Sequence, residues 1–100
     1  MPYSVRYKRA AAAEVEAVIS WYARPEINQA SSFVNDLERT ESHLRAQPAL
    51  YQQIEGEIRR AVLRRFPYSL FYVIERDEVV VLACMHQHQK PRAREELIKP

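Results

Sequence analysis

The chain changes hydrophobic period near its middle. At its start Tyr3, Val5 and Tyr7 alternate with Ser4, Arg6 and Lys8, the pattern of a short strand with one buried face. The next segment places Val15, Val18, Ile19 and Tyr22 at i, i+3, i+4 and i+7, the apolar stripe of an amphipathic helix. Ala10 to Ala13 and Ala17 add strong helix propensity. Pro25 ends this helix near Ala23. A second helix is expected from about Glu26, with Ala30, Phe33, Val34, Leu37 and Leu44 as its stripe, and Pro48 stops it near Gln47. So short a connection makes the two helices an antiparallel hairpin.

Beyond Gly56 the pattern becomes that of strands. Ile58 to Leu63, Tyr68 to Ile74 and Val79 to Cys84 are rich in β-branched and aromatic residues. The last two are apolar on both faces, as in central strands covered from both sides. Pro67 falls at a strand entry, where proline is tolerated. Arg76-Asp77 is the expected hairpin turn. Pro91 to Ile98 is expected to form a short helix with Pro91 at its first position and Leu97 and Ile98 facing inward. The order β-α-α-β-β-β, with a possible final helix, predicts an α+β domain: a helical hairpin packed on a small, mainly antiparallel sheet.

Composition narrows the chemistry. A chain of 100 residues is one domain, 1–100, with a thin core, so a bound partner could add to its stability. With one glycine in the whole chain, glycine-rich phosphate-cradling loops are excluded. Cys84 is the only cysteine, which rules out an internal disulfide and any cysteine-based metal site. It sits in an apolar run and reads as a small buried hydrophobe. An unpaired cysteine and an N-terminus without an apolar leader point to the cytoplasm, and no apolar run approaches a membrane span. Net charge is only +2, but it is unevenly spread. Arg59, Arg60, Arg64 and Arg65 form one cluster, Lys90, Arg92, Arg94 and Lys99 another, and acidic residues concentrate between Glu14 and Glu57.

Four features in order give the chain its resemblance. Tyr3-x-Val5 precedes an Ala/Glu-rich helix ending in Trp21-Tyr22. Ala30-x-x-Phe33-x-x-x-Leu37 is followed by Pro48. Ile58-Arg59-Arg60 leads to Arg65-Phe66-Pro67-Tyr68 and Phe71-Tyr72. Val79 to His86 is followed by Pro91. Together, over about residues 3 to 92, these resemble the RelE/ParE superfamily of toxins from type II toxin–antitoxin systems, and the ParE-like members more than the RelE-like ones. The resemblance implies the fold derived above, a cognate antitoxin partner, and growth arrest through one of two targets. ParE-like members inhibit DNA gyrase by binding. RelE-like members cleave mRNA on the ribosome.

Cleavage requires a base or orienting group for the 2′-hydroxyl, cations for the phosphate and an acid for the leaving oxygen. No lysine occurs between Lys8 and Lys90, Ser69 stands where several RNase members place an arginine, and Lys99-Pro100 brings no terminal tyrosine. These departures favour the gyrase reading. Were the chain a nuclease, His86, Arg60, Arg64 and Glu57 (with Glu55 as an alternative base) would be its catalytic set. Residues expected to meet antitoxin or target are Arg59, Arg60, Arg64, Arg65, His86, His88 and Arg92. Acidic antitoxin residues would complement Arg59 to Arg65, and the antitoxin would contact the hairpin and an exposed sheet edge. His86-x-His88 shares one face of an extended segment, but His43 lies in the second helix, so no metal and no cofactor is expected. Trp21, Tyr22 and Phe33 have the helical spacing of packing residues rather than of a base-stacking platform.

Overall fold

A computed structural model describes residues 2–90 and 92–99. Strand β1 (Ser4–Tyr7) leads into helix α1 (Arg9–Tyr22) and helix α2 (Ala30–Ala46). A single 3-10 turn (Pro48–Leu50) follows, then β2 (Gln53–Glu55), β3 (Ile58–Val62), β4 (Tyr68–Glu75), β5 (Glu78–His86) and the one-turn helix α3 (Arg94–Leu97). The five strands form one sheet in the order β1-β5-β4-β3-β2. β1 runs parallel to β5, with Ser4 opposite Glu78 and Tyr7 opposite Val81; every other pairing is antiparallel. The α+β expectation holds, and the helical hairpin carries the chain from β1 at one edge of the sheet to β2 at the other.

Three boundaries depart from the periodicity. The second helix begins at Ala30 rather than near Glu26. The residues after Pro25 fold back on α1 instead: Asn28 takes a left-handed φ of 53°, its N–H and that of Ile27 bond Arg24 O, and Gln29 N–H bonds Tyr22 O. This satisfies carbonyls that a helix end leaves bare. Strand β2 was not legible at all, being three residues long with an exposed–intermediate–exposed pattern. At the C-terminus Leu97 is buried as expected, but Ile98 is 41% exposed, because α3 stops at Leu97. Pro91 lies outside the described residues. The Arg76-Asp77 turn is as expected, and Arg76 carries the φ of 60° that a two-residue hairpin loop places at a central position.

The sheet has two apolar faces. On one, Ala61, Leu70, Tyr72, Val79 and Val81 meet Ala11, Val15, Phe33, Leu37 and Leu44 of the hairpin. Tyr22, Phe33, Phe66 and Tyr68 close one end as an aromatic cluster, with Tyr22 and Phe66 4.9 Å apart edge to face. On the second face Phe71, Val73, Val80, Leu82, Ala83 and Met85 pack under Ile54, Ile58 and Leu97.

A buried carboxylate joins hairpin to sheet. Asp36, on the inner stripe of α2, is 1% exposed. It accepts the backbone N–H groups of Arg64 (3.3 Å), Arg65 (2.8 Å) and Phe66 (3.0 Å), and pairs with Arg39 at 2.9 Å. Asp36 thereby anchors the whole β3–β4 connection and seats Phe66 in the aromatic cluster. Removing the carboxylate orphans those donors, each a loss of about 1–3 kcal/mol when water cannot replace the partner. Asp36→Ala should lower unfolding free energy in urea by about 2–4 kcal/mol, and Asp36→Asn, which keeps one acceptor, by roughly half as much. A loss below about 1 kcal/mol for the alanine variant would show that the loop is held by its aromatic contacts alone.

Candidate functional site

One extra residue decides which side chains share a face. Between β4 and β5 the register runs Phe71 opposite Ala83, then Tyr72 opposite Val81, so Leu82 is bulged. Up to that point Val79 and Val81 face the helices while Val80 faces the second side. Leu82 and Ala83 then both lie on the second side, and Cys84 on the helix side. A β-bulge shifts alternation in this way. Without it, His86 would share the side of Val80 and Leu82.

With the bulge, His86 stands opposite Tyr68, a residue of the helix-side cluster. The two rings meet edge to face at 5.1 Å. His86 Nδ1 accepts the His88 N–H at 3.1 Å, and Gln89 Oε1 accepts the His86 N–H at 2.8 Å. Neutral His86 therefore carries its proton on Nε2. The His88 ring stacks at a tilt, 5.1 Å from that of His86. Among the described residues no group of three or more His, Cys, Asp or Glu side chains converges.

The arginines divide between faces. Arg60 stands opposite Phe71 on the second side, and Arg59 opposite Tyr72 on the helix side. Arg59 Nη1 donates to the carbonyls of Ala49 (3.0 Å) and Tyr51 (2.6 Å), so it ties the 3-10 turn to β3. Arg64 and Arg65 are exposed on the loop that Asp36 anchors. Glu57 pairs with Arg94 at 2.6 Å; its own backbone N–H and that guanidinium hold its carboxyl below the ordinary range. Arg92 lies 2.8 Å from Glu14. His86 and Arg60 thus lie on opposite faces of the sheet, and Glu57 is engaged at the far end of β3. Among the described residues the conditional nuclease set is not gathered into one site.

Glu14 is the functional-region residue that sequence reasoning missed. Past Val81, β5 outruns β1, and the bulge turns its N–H groups toward α1. Glu14 Oε1 accepts the Cys84 N–H at 2.9 Å while Oε2 faces Arg92. The signal was present: Glu14 sits on the inward stripe of α1, beside Ala11, Val15 and Val18, where a carboxylate needs a partner. Glu14 also borders a cleft of about 310 Å³ lined by Val18, Trp21, Tyr68 and His86. Trp21, 49% exposed, lies there under the Arg24 guanidinium, 4.3 Å from its ring. Tyr22 and Phe33 are packing residues.

A family described as ParE toxin of type II toxin–antitoxin system, parDE, matches residues 5–91. In solved structures the fold recurs in the chromosomal ParDE system from P. aeruginosa, at 20% identity and a TM-score of 0.70, covering 84% of this chain and 95% of that one. It recurs also in the RelBE2 toxin–antitoxin complex from Mycobacterium tuberculosis, at 19% identity and a TM-score of 0.60, covering 86% and 99%. Comparison with curated protein sequences returns no match. No helix among the described residues is long and apolar enough to cross a membrane.

The same geometry sets a pH response. Burial pushes the Cys84 thiol up to about 12, with the Glu14 carboxylate adding to the effect. An unfolded thiol titrates near ~8.5. Because the folded pKa is raised, this contribution to stability is intact below about pH 8.5 and is lost as pH rises toward the folded value. Unfolding free energy should fall by about 1–2 kcal/mol between pH 8 and pH 10 from this group, and Cys84→Ala should show a correspondingly shallower decline. Identical pH slopes in urea titrations of the two proteins would contradict it.

Proposed function

Because the chain belongs to the family of ParE toxins of type II toxin–antitoxin systems, we propose that it arrests growth by binding DNA gyrase, without a catalytic centre, and is neutralised by a cognate antitoxin in the cytoplasm. The observation that carries this reading is the register of β5. The bulge at Leu82 sends His86 to the helix side while Arg60 stays on the other. General acid–base cleavage needs its groups within hydrogen-bond reach of one substrate, and binding has no such requirement.

The surface suits a protein partner. Trp21 and Leu50 are large apolar residues left exposed, Leu50 at 75%. Leu50 borders a shallow cleft with His43, Ala46 and Tyr51 on the outer end of the hairpin. Arg60, Arg64 and Arg65 are exposed cations without ion pairs among the described residues, suited to set encounter rate and register with an acidic partner. Arg59 and Arg92 act first through their own internal partners. The antitoxin is a partner by analogy with the ParDE system and the RelBE2 complex, whose fold the chain shares.

A second reading, ribosome-dependent mRNA cleavage, has one observation in its favour. Among the described residues His86 Nε2 has no protein hydrogen bond while Nδ1 is fixed, a geometry that an acid–base residue can use. Induction of the chain in cells separates the two readings. Gyrase binding should relax plasmid supercoiling with ribosome-bound mRNA intact, His86→Ala should remain toxic at normal abundance, and co-expression of the neighbouring antitoxin should restore growth. Cleaved messages with normal supercoiling, abolished in His86→Ala, would make the chain a nuclease.

A further inference from the structure

The start of α1 and the C-terminal segment face each other across a cleft of about 470 Å³. Four of its lining residues are cations, Lys8, Arg9, Arg92 and Lys99, against the single carboxylate of Glu96. Its apolar floor includes Leu82, the bulged residue of β5, and Leu97. This is a different place from the hairpin surface and the Arg60 to Arg65 cluster.

Three features leave the cleft short of negative charge. Lys8 is the N-cap of α1 without a side-chain cap, and the first turn of the helix contains no acidic residue. Arg9 follows at the first helical position, so two cations sit where the helix dipole is already positive. Arg92 Nε and Nη2 are shielded from solvent and have no aligned hydrogen-bond acceptor among the described residues. Glu14 lies within ion-pair distance of Nη2, but its direction of approach leaves that N–H unsatisfied, and Oε1 of the same carboxylate is committed to Cys84. The Lys8 ammonium also donates to the Lys99 carbonyl, which holds the C-terminal segment against α1.

We propose that this cleft receives an acidic side chain of the antitoxin, with an adjoining apolar side chain resting on Leu82 and Leu97. This rests on the reading that an antitoxin neutralises the chain. An incoming carboxylate would meet Arg9, Lys99 and the exposed part of the Arg92 side chain together. The cations ring one concave, apolar-floored cleft. A duplex-binding surface instead lays its cations along a track matched to the dense phosphate spacing of the backbone, so the shape favours a peptide.

The test measures the affinity of the purified chain for the antitoxin encoded beside it. Variants Arg9→Glu and Lys99→Glu are suitable because neither side chain has a hydrogen bond or ion pair among the described residues. Arg76→Gly, in the distant β4–β5 turn, controls for loss of a positive charge. Each reversal should weaken binding on the order of tenfold, as for charge pairs at other interfaces, and Arg76→Gly should leave it unchanged. Unchanged affinity in both reversals, with wild-type chain binding the antitoxin, overturns the cleft proposal and leaves the toxin reading intact. Weakened binding to a DNA duplex at full antitoxin affinity also overturns it, by making the cleft a nucleic-acid site. Failure of the wild-type chain to bind the antitoxin at all overturns both.

Discussion

The bulge at Leu82 is the constraint on which the arrangement turns. By inserting one residue opposite the Phe71–Tyr72 step, it rotates the last part of β5 through half a pleat. Leu82 and Ala83 then face the second side together, and Cys84 and His86 return to the helix side. The rotation also points the Cys84 N–H beyond the end of β1, where no strand can pair it. An unpaired N–H there would be costly. Glu14 reaches across from α1 to accept it, so the local irregularity in the strand explains an inward-facing carboxylate on the helix.

Asp36 performs the matching role on α2. Both helices carry an acid on the inner stripe, Asp36 beside the buried Thr40 on α2 and Glu14 beside Ala11 and Val15 on α1, and both accept backbone N–H groups from the sheet side. Carboxylates held in this way, Asp36 buried and Glu14 half-buried, fix geometry more than they add net stability. Their common effect is to locate the hairpin on the sheet at two points: the β3–β4 connection, through Asp36, and the free end of β5, through Glu14. The exposed Arg64 and Arg65 owe their position to the first. Arg92 and the basic cleft beside α1 owe theirs to the second.

Most of the fold was legible because apolar periodicity is set by burial. Strands β4 and β5, buried on both faces, read as continuous apolar runs, and the α1 and α2 stripes read at helical spacing. The parts that were not legible depend on single residues. Asn28 in the left-handed region turned the start of the expected second helix into a cap for the first. β2 is too short and too exposed to show alternation. The candidate site suffered most. Counting by twos along Val79 to His86 puts His86 on the side of Val80, within the compass of Arg60, and nothing in the valine run announces the bulge. Arg59 read as an open cation, but the carbonyls of Ala49 and Tyr51, distant in sequence, claim it. Glu14 and Asp36 could have been flagged as acids on apolar stripes, though not the donors they would meet.

The proposed function is to disable the target by occupying it. The most direct measurement is the number of gyrase molecules silenced per toxin molecule, from supercoiling assays in which purified toxin is titrated below and above the enzyme concentration. Occupancy predicts inhibition that rises in proportion to toxin, saturates near equivalence and does not deepen with time. Inhibition absent at excess toxin would contradict the account, and so would progressive loss of many targets per toxin molecule.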